Sequence, residues 1–103
     1  MSDKAPDALI IPLYAMAYLD DPSSYPGPDD ANRAAFARDY STSEILEIYD
    51  AATWAIEHPD HPFRATFAKY LPHLKHDDAS IVAYLTKLRD GMRPLVEKLR
   101  PPP

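Results

Sequence analysis

Twelve prolines spread over 103 residues limit the length of any regular element in this chain, and only two glycines accompany them. Proline lacks a backbone N–H donor and obstructs the preceding helical turn, so it stands in the first turn of a helix or ends one. The scarcity of glycine disfavours the glycine-rich loops that hold phosphate groups. The sequence therefore predicts an all-α fold, a compact bundle of four to six short helices with proline-rich corners.

Length and composition predict a single domain over residues 1–103. A chain of this size has room for one core, and its 46% hydrophobic and 26% charged residues are ordinary globular proportions. Residues 1–7 are expected to form a flexible arm, residues 20–28 a proline- and glycine-rich loop, and residues 100–103 an extended tail. Because the chain has no cysteine, a cytoplasmic location is the expectation.

Two helices are predicted before the middle of the chain. The apolar run over residues 11–19 predicts a first helix with Pro12 in its first turn, while a buried strand over residues 9–14 is the alternative. Asp29 or Asp30 can cap a second, alanine-rich helix, because a carboxylate accepts hydrogen bonds from the free N–H groups of the first turn.

The clearest helical pattern begins at Ser41. The run Ser41-Thr42-Ser43-Glu44 matches a capping box, in which the Ser41 hydroxyl and the Glu44 carboxylate each accept a hydrogen bond from the other residue's backbone. Apolar residues then recur at helical spacing up to His58 and Pro59, where the residue before proline leaves the helical region. They form one predicted buried stripe: Ile45, Ile48, Tyr49, Ala52, Ala55 and Ile56.

The back half of the chain predicts shorter helices. A fourth has an apolar face of Phe63, Phe67 and Tyr70, which stand at i, i+4 and i+7. Asp77 or Asp78 caps a fifth. We expect this fifth helix to end at Gly91 and residues 94–99 to form one more short helix. The predicted core residues of the fifth helix are Ile81, Val82, Leu85 and Leu88.

The outer side of the third helix carries the most distinctive feature of the sequence. Counted from Glu44 at 100° per residue, the apolar stripe occupies about 20° to 140°, whereas Glu47, Asp50 and Glu57 fall at about 220° to 300°. Trp54 falls among these acids, and tryptophan is enriched at binding hot spots. The pattern predicts a recognition surface for a basic partner, composed of Trp54, Glu47, Asp50, Glu57 and Glu44.

A purely structural interpretation of the same residues stays open. Large aromatic side chains are usually well buried, so Trp54 can instead pack against the first helix or the loop over residues 20–28. A solvated helix face also needs charged residues, and acids near its start suit the helix dipole.

The four histidines form two pairs with equal spacing, His58-x-x-His61 and His73-x-x-His76. Neutral imidazole is a good ligand for zinc, and Asp60, Asp77 and Asp78 lie beside the pairs as possible further ligands. The pairs therefore predict a histidine-metal site as the alternative function. Each pair also flanks a proline at a helix boundary, and polar corner residues are the structural interpretation.

Charge is divided between the two halves of the chain. Residues 1–60 hold 12 acidic and 3 basic residues, whereas residues 61–103 hold 4 acidic and 8 basic ones. Such a division arises when helices of opposite charge pair, or it marks an acidic surface for a basic partner. The net charge of −5 disfavours nucleic-acid binding, and no apolar run is long enough to cross a membrane.

No run of residues has the pattern of a nucleophile with its base or of a calcium loop. The function hypothesis is therefore a small, acidic, non-enzymatic protein–protein interaction module, such as an inhibitor or an immunity-type protein that covers a basic surface. A zinc-binding helical protein is the alternative. A homodimer through Trp54, or through Leu13, Tyr14 and Tyr18 of the first helix, is a third hypothesis.

Overall fold

Five α-helices form most of the computed structural model, which describes residues 5–19, 21 and 24–100. A 3-10 helix at Asp7–Leu9 precedes them, and no strand occurs among the described residues. The predicted all-α bundle is confirmed, and the alternative of a strand over residues 9–14 is wrong because those residues are helical. The helices are α1 (Ile10–Met16), α2 (Asp30–Asp39), α3 (Thr42–Glu57), α4 (Phe63–Phe67) and α5 (Asp78–Leu99).

Side-chain caps begin three of the helices at residues that the sequence predicts. The Asp29 carboxylate accepts a hydrogen bond from the N–H of Asn32 at 2.8 Å and begins α2. At the start of α3, the Glu44 N–H donates to Ser41 Oγ at 3.2 Å and the Ser41 N–H donates to Glu44 Oε1 at 3.0 Å. Asp77 caps α5 by accepting from a backbone N–H at 2.7 Å. Each cap satisfies donors that have no partner inside the helix, which stabilises it by about 1 kcal/mol.

The core lies between α3 and α5, which form the most extensive helix pair of the described residues. The 3-10 helix packs against α3, while α1 and α4 pack against α5. Burial of a large apolar side chain contributes roughly 1.5–3 kcal/mol, so this core dominates the stability of the fold. Its fully buried large side chains are Leu9, Leu13, Met16, Ile45, Ile48, Phe63, Ile81, Leu85 and Met92.

The buried side of α3 is turned slightly away from the predicted stripe. Four of the six predicted residues are buried, and Ala51 is buried in addition. Tyr49 and Ile56, at one edge of the predicted stripe, are only half-buried. The exposed guanidinium of Arg93 on α5 interacts with the Tyr49 side chain, and this interaction raises the pKa of Arg93.

Helix α5 runs through Gly91 and Pro94, the two residues that were expected to interrupt it. The predictions that Gly91 ends the fifth helix and that residues 94–99 form a separate one are wrong. Gly91 serves close packing, because a Cβ at this position would lie 2.5 Å from Cδ of Pro28. A proline inside a helix costs about 3 kcal/mol. Met92 and Val96 are buried on the continuous helix, and burial of two such side chains offsets about that amount.

Tyr70 is exposed, contrary to the prediction that it continues the apolar face of the fourth helix. Helix α4 ends at Phe67 and residues 68–70 form a turn, so the helical phase that would align residue 70 is lost. The Tyr70 side chain is 62% exposed, whereas Leu71 and Leu74 enter the core.

The ends and the long loop of the chain agree only in part with the predictions. Ala5 is buried and Asp7 begins the 3-10 helix, so the last residues of the predicted flexible arm pack on the core. Helix α1 ends at Met16 rather than at residue 19. Residues 1–4, residues 20, 22 and 23 of the predicted loop and residues 101–103 of the predicted tail lie outside the described residues. Within the described part of the chain, no helix has both the length and the apolar character that crossing a bilayer requires.

Candidate functional site

The outer side of α3 presents the predicted acids together. Because residues 42–57 form one uninterrupted helix, Glu47, Asp50, Trp54 and Glu57 lie on successive turns of the same side. The three acids are exposed and Trp54 is half-buried. We call these four residues the acidic face of α3.

Asp50 holds an arginine on this face. The guanidinium of Arg100, which follows α5, donates from Nη1 to Asp50 Oδ1 at 3.0 Å and from Nη2 to Asp50 Oδ2 at 2.8 Å. The hydrogen bonds to Asp50 and its charge raise the pKa of Arg100. The two side chains are 55% and 48% exposed, so a forked arginine–carboxylate pair exists at the surface.

The other predicted acids differ in what they bind. Among the described residues, no side chain pairs with Glu47 or with Glu57. Glu44 belongs to the start of the helix, where the backbone N–H of Ser41 and then its hydroxyl hold the pKa of Glu44 below its ordinary value. Glu44 is therefore committed to the capping box, and the acids of the acidic face of α3 are the remaining three.

Trp54 packs on the corner that follows its own helix. Its ring stacks on the His58 imidazole with centroids 4.1 Å apart and planes 14° apart. The ring meets His61 edge-on at 5.2 Å and the buried ring of Phe63 at 6.3 Å. These ring contacts lie within residues 58–63, and they leave the indole half-buried.

The first histidine pair braces this corner. Nδ1 of His58 donates to the Trp54 carbonyl oxygen at 2.7 Å, because a carbonyl can only accept. Nε2 of His61 lies 2.9 Å from the Thr66 hydroxyl.

The second histidine pair contacts a different part of the molecule. Nε2 of His76 donates to the Leu19 carbonyl oxygen at 3.0 Å, and the His73 ring lies 6.3 Å from that of Tyr18. Among the described residues, no group of three or more His, Cys, Asp or Glu side chains is arranged to hold a metal ion. Zinc binding stays a prediction, which metal analysis and melting with and without a chelator test.

The residues proposed for a dimer seam are divided. Leu13 is fully buried in the core, whereas Tyr14 and Tyr18 are exposed and meet edge-to-face at 5.2 Å.

Within α5, Arg89 and Arg93 both contact Asp90, so part of the basic charge of the back half is paired locally.

Arg100, which pairs with the acidic face of α3, is the residue that the sequence pattern does not predict. It lies 50 positions from Asp50 along the chain, beyond the reach of helical periodicity. The division of charge between the halves is the only signal in the sequence that points to it.

Comparison with known proteins adds no relative to this geometry. No protein-family model, no curated protein and no solved structure matches the chain.

Proposed function

We propose that the chain is a small, non-enzymatic protein–protein interaction module whose acidic face of α3 binds a basic surface on a partner protein. The Asp50–Arg100 pair is the observation that carries the proposal, since this face already accepts a guanidinium in a forked geometry. A partner's arginine or lysine meets the same chemistry at Glu47 and Glu57, which are exposed and have no ion-pair partner among the described residues.

Trp54 supplies the apolar part of the proposed contact. Its indole is half-buried and held by His58, so little side-chain freedom remains to be lost on binding. Aromatic anchors ringed by charged groups are typical of interface hot spots. An inhibitor or immunity-type protein that covers a basic, nucleic-acid-binding surface has this chemistry, and a cytoplasmic location belongs to the same proposal.

Capture of partners from the native host tests the proposal through matched charge reversals. The immobilised wild-type protein is compared with Glu47→Lys and with Asp7→Lys, which makes the same change of charge at an exposed residue of the 3-10 helix, outside the acidic face of α3. We expect Glu47→Lys to lose a partner that the wild type and Asp7→Lys retain. Binding of that partner should weaken as salt rises.

The purified partner is then titrated against the fluorescence of Trp54, the only tryptophan of the chain. The proposal requires a saturable change in the Trp54 emission that Glu47→Lys, which keeps the tryptophan, weakens or removes. Retention of every captured partner by Glu47→Lys, at any salt concentration, contradicts the acidic face as the binding surface.

A further inference from the structure

A groove with a volume of about 360 Å³ lies between α1 and α2, on the side of α3 away from the acidic face. One wall is formed by Ile11 and Ala15 of α1, which stand one helical turn apart. The other wall is formed by Ala35 and Phe36 of α2. Ile48 of α3 lies in its floor, where the core begins. The volume falls at the lower end of the range for clefts that bind small molecules.

The apolar atoms of this groove remain accessible because α2 does not close onto α1. No residue of α2 is buried, and Phe36 and Tyr40 are half-buried with their rings 5.6 Å apart. On the facing wall, Ile11 is 38% exposed. A ligand that covers these surfaces removes apolar area from water, which is favourable.

The polar groups of the groove favour an uncharged ligand. Asp39 is the only charged residue among the described residues that line it, and its partner Arg38 is 73% exposed and lies outside the lining. The hydroxyls of Tyr25 and Tyr40 have no hydrogen-bond partner among the described residues, whereas the Tyr84 hydroxyl in the floor donates to the Pro12 carbonyl. An anion finds no cation among the described lining residues, and the carboxylate that could attract a cation is already paired with Arg38. A neutral molecule finds apolar walls, two hydroxyls and the Asn32 side chain.

We propose that the groove between α1 and α2 is a binding site for a neutral, largely apolar small molecule with one hydrogen-bonding group. This site is separate from the acidic face of α3 and does not depend on the proposed function. One of its walls comes from α2, which has no buried residue.

Two fluorescent probes with the same aromatic skeleton test the proposal. N-phenylnaphthylamine is neutral, and anilinonaphthalene sulfonate carries one negative charge. We expect saturable binding of the neutral probe at one site per chain, with binding of the sulfonate about fivefold weaker, the effect of one like charge a few ångströms away in water. Asp39→Asn should bring the two affinities together.

Matched substitutions on α2 locate the site. Ala35→Leu fills the groove and should weaken binding of the neutral probe about tenfold, whereas Ala31→Leu, on the exposed surface of the same helix, should leave it unchanged. Ala15→Leu on the facing wall should act like Ala35→Leu, which guards against a folding defect in one variant. Absence of saturable binding, or equal loss in Ala31→Leu, overturns the proposal.

Sedimentation of the same variants tests the other occupant, a second copy of the chain. The proposal expects the wild type and Ala35→Leu to sediment alike. A wild-type dimer that Ala35→Leu dissociates and Ala31→Leu preserves overturns the small-molecule site and makes the groove a self-interface.

Discussion

The contact between Pro28 and Gly91 shows how a single absent side chain shapes this molecule. The loop before α2 lies on α5, where Gly27 adopts a φ of 90° that glycine favours and the Pro28 ring fills the space beside Gly91. Arg33 closes the contact, because its Nη1 donates to the carbonyl oxygens of Pro28 and Gly91 at 2.9 and 2.8 Å. Glycine at 91 therefore serves packing rather than helix termination.

Substitution of Gly91 by alanine tests this assignment. In an open helix the change stabilises by about 1 kcal/mol. Here the new Cβ meets the Pro28 ring, and overpacking of this kind costs about 1–3 kcal/mol. We expect Gly91→Ala to lower the free energy of unfolding in urea, and to lower it less in a Pro28→Ala background, which removes the ring carbons at 2.5 and 2.7 Å but keeps the backbone nitrogen of residue 28 at 3.0 Å. Stabilisation by Gly91→Ala in the wild-type background contradicts the packing role.

At the scale of single elements, the start of α3 links stability to pH. The Ser41 N–H and hydroxyl hold the pKa of Glu44 below its ordinary value of 4.5. Since the folded value is the lower one, the stabilisation by this carboxylate is complete above the ordinary value and is lost as the pH falls through the folded value.

Glu44→Gln should therefore flatten the loss of stability on the acid side, because its amide oxygen still accepts a bond but does not titrate. The measurement is the free energy of unfolding in urea at a series of acidic pH values. Glu47→Gln is the matched control, since Glu47 has no ion-pair partner among the described residues. Equal slopes for the wild type and Glu44→Gln contradict the assignment.

Helix α2 has no fully buried residue, and Phe36 packs only partly on the core, so polar contacts contribute to holding this helix in place. Arg33 joins it to Pro28 and Gly91 and also pairs with Asp30. We expect Arg33→Ala to speed amide hydrogen exchange across α2 relative to α3, because local opening is easiest where few apolar contacts hold an element.

Arg38→Ala is the control for α2, because it removes only an exposed pair with the neighbouring Asp39. Its exchange rates across α2 should equal those of the wild type. Equal acceleration by both substitutions means that Arg33 does not hold the helix in place.

At the scale of the whole molecule, the division of charge follows from how the helices pair. Helix α3 carries four acids and no base, and it packs against α5, which carries four of the eight basic residues of the back half. Asp50 and Arg100 meet where these elements adjoin. The pairing accounts for part of the acidic charge and leaves Glu47 and Glu57 exposed on the outer face of α3.

The sequence pattern predicts those features of the fold that depend on residues close together in the chain. The caps at Asp29, Ser41 and Asp77 and most of the buried stripe of α3 follow from sequence spacing, because their partners lie within one or two turns. The continuity of α5 and the position of Arg100 depend on residues far away in the chain, so periodicity cannot predict them.

Helical spacing likewise predicts only part of the candidate site. Helical spacing places Trp54 among the acids on the outer side of α3, which the structure confirms. The half-buried state of its ring depends on the path of residues 58–63, where two prolines turn the chain back toward the indole.

An amide NMR titration of the isotope-labelled chain with a hexa-arginine peptide at low salt tests the central claim most directly. If the acidic face of α3 is the surface for a basic partner, the largest shifts occur at Glu47, Asp50 and Glu57 and at the Trp54 indole N–H, and added salt reverses them. Largest shifts around Asp29 and the start of α2, with an unchanged Trp54 indole signal, contradict it.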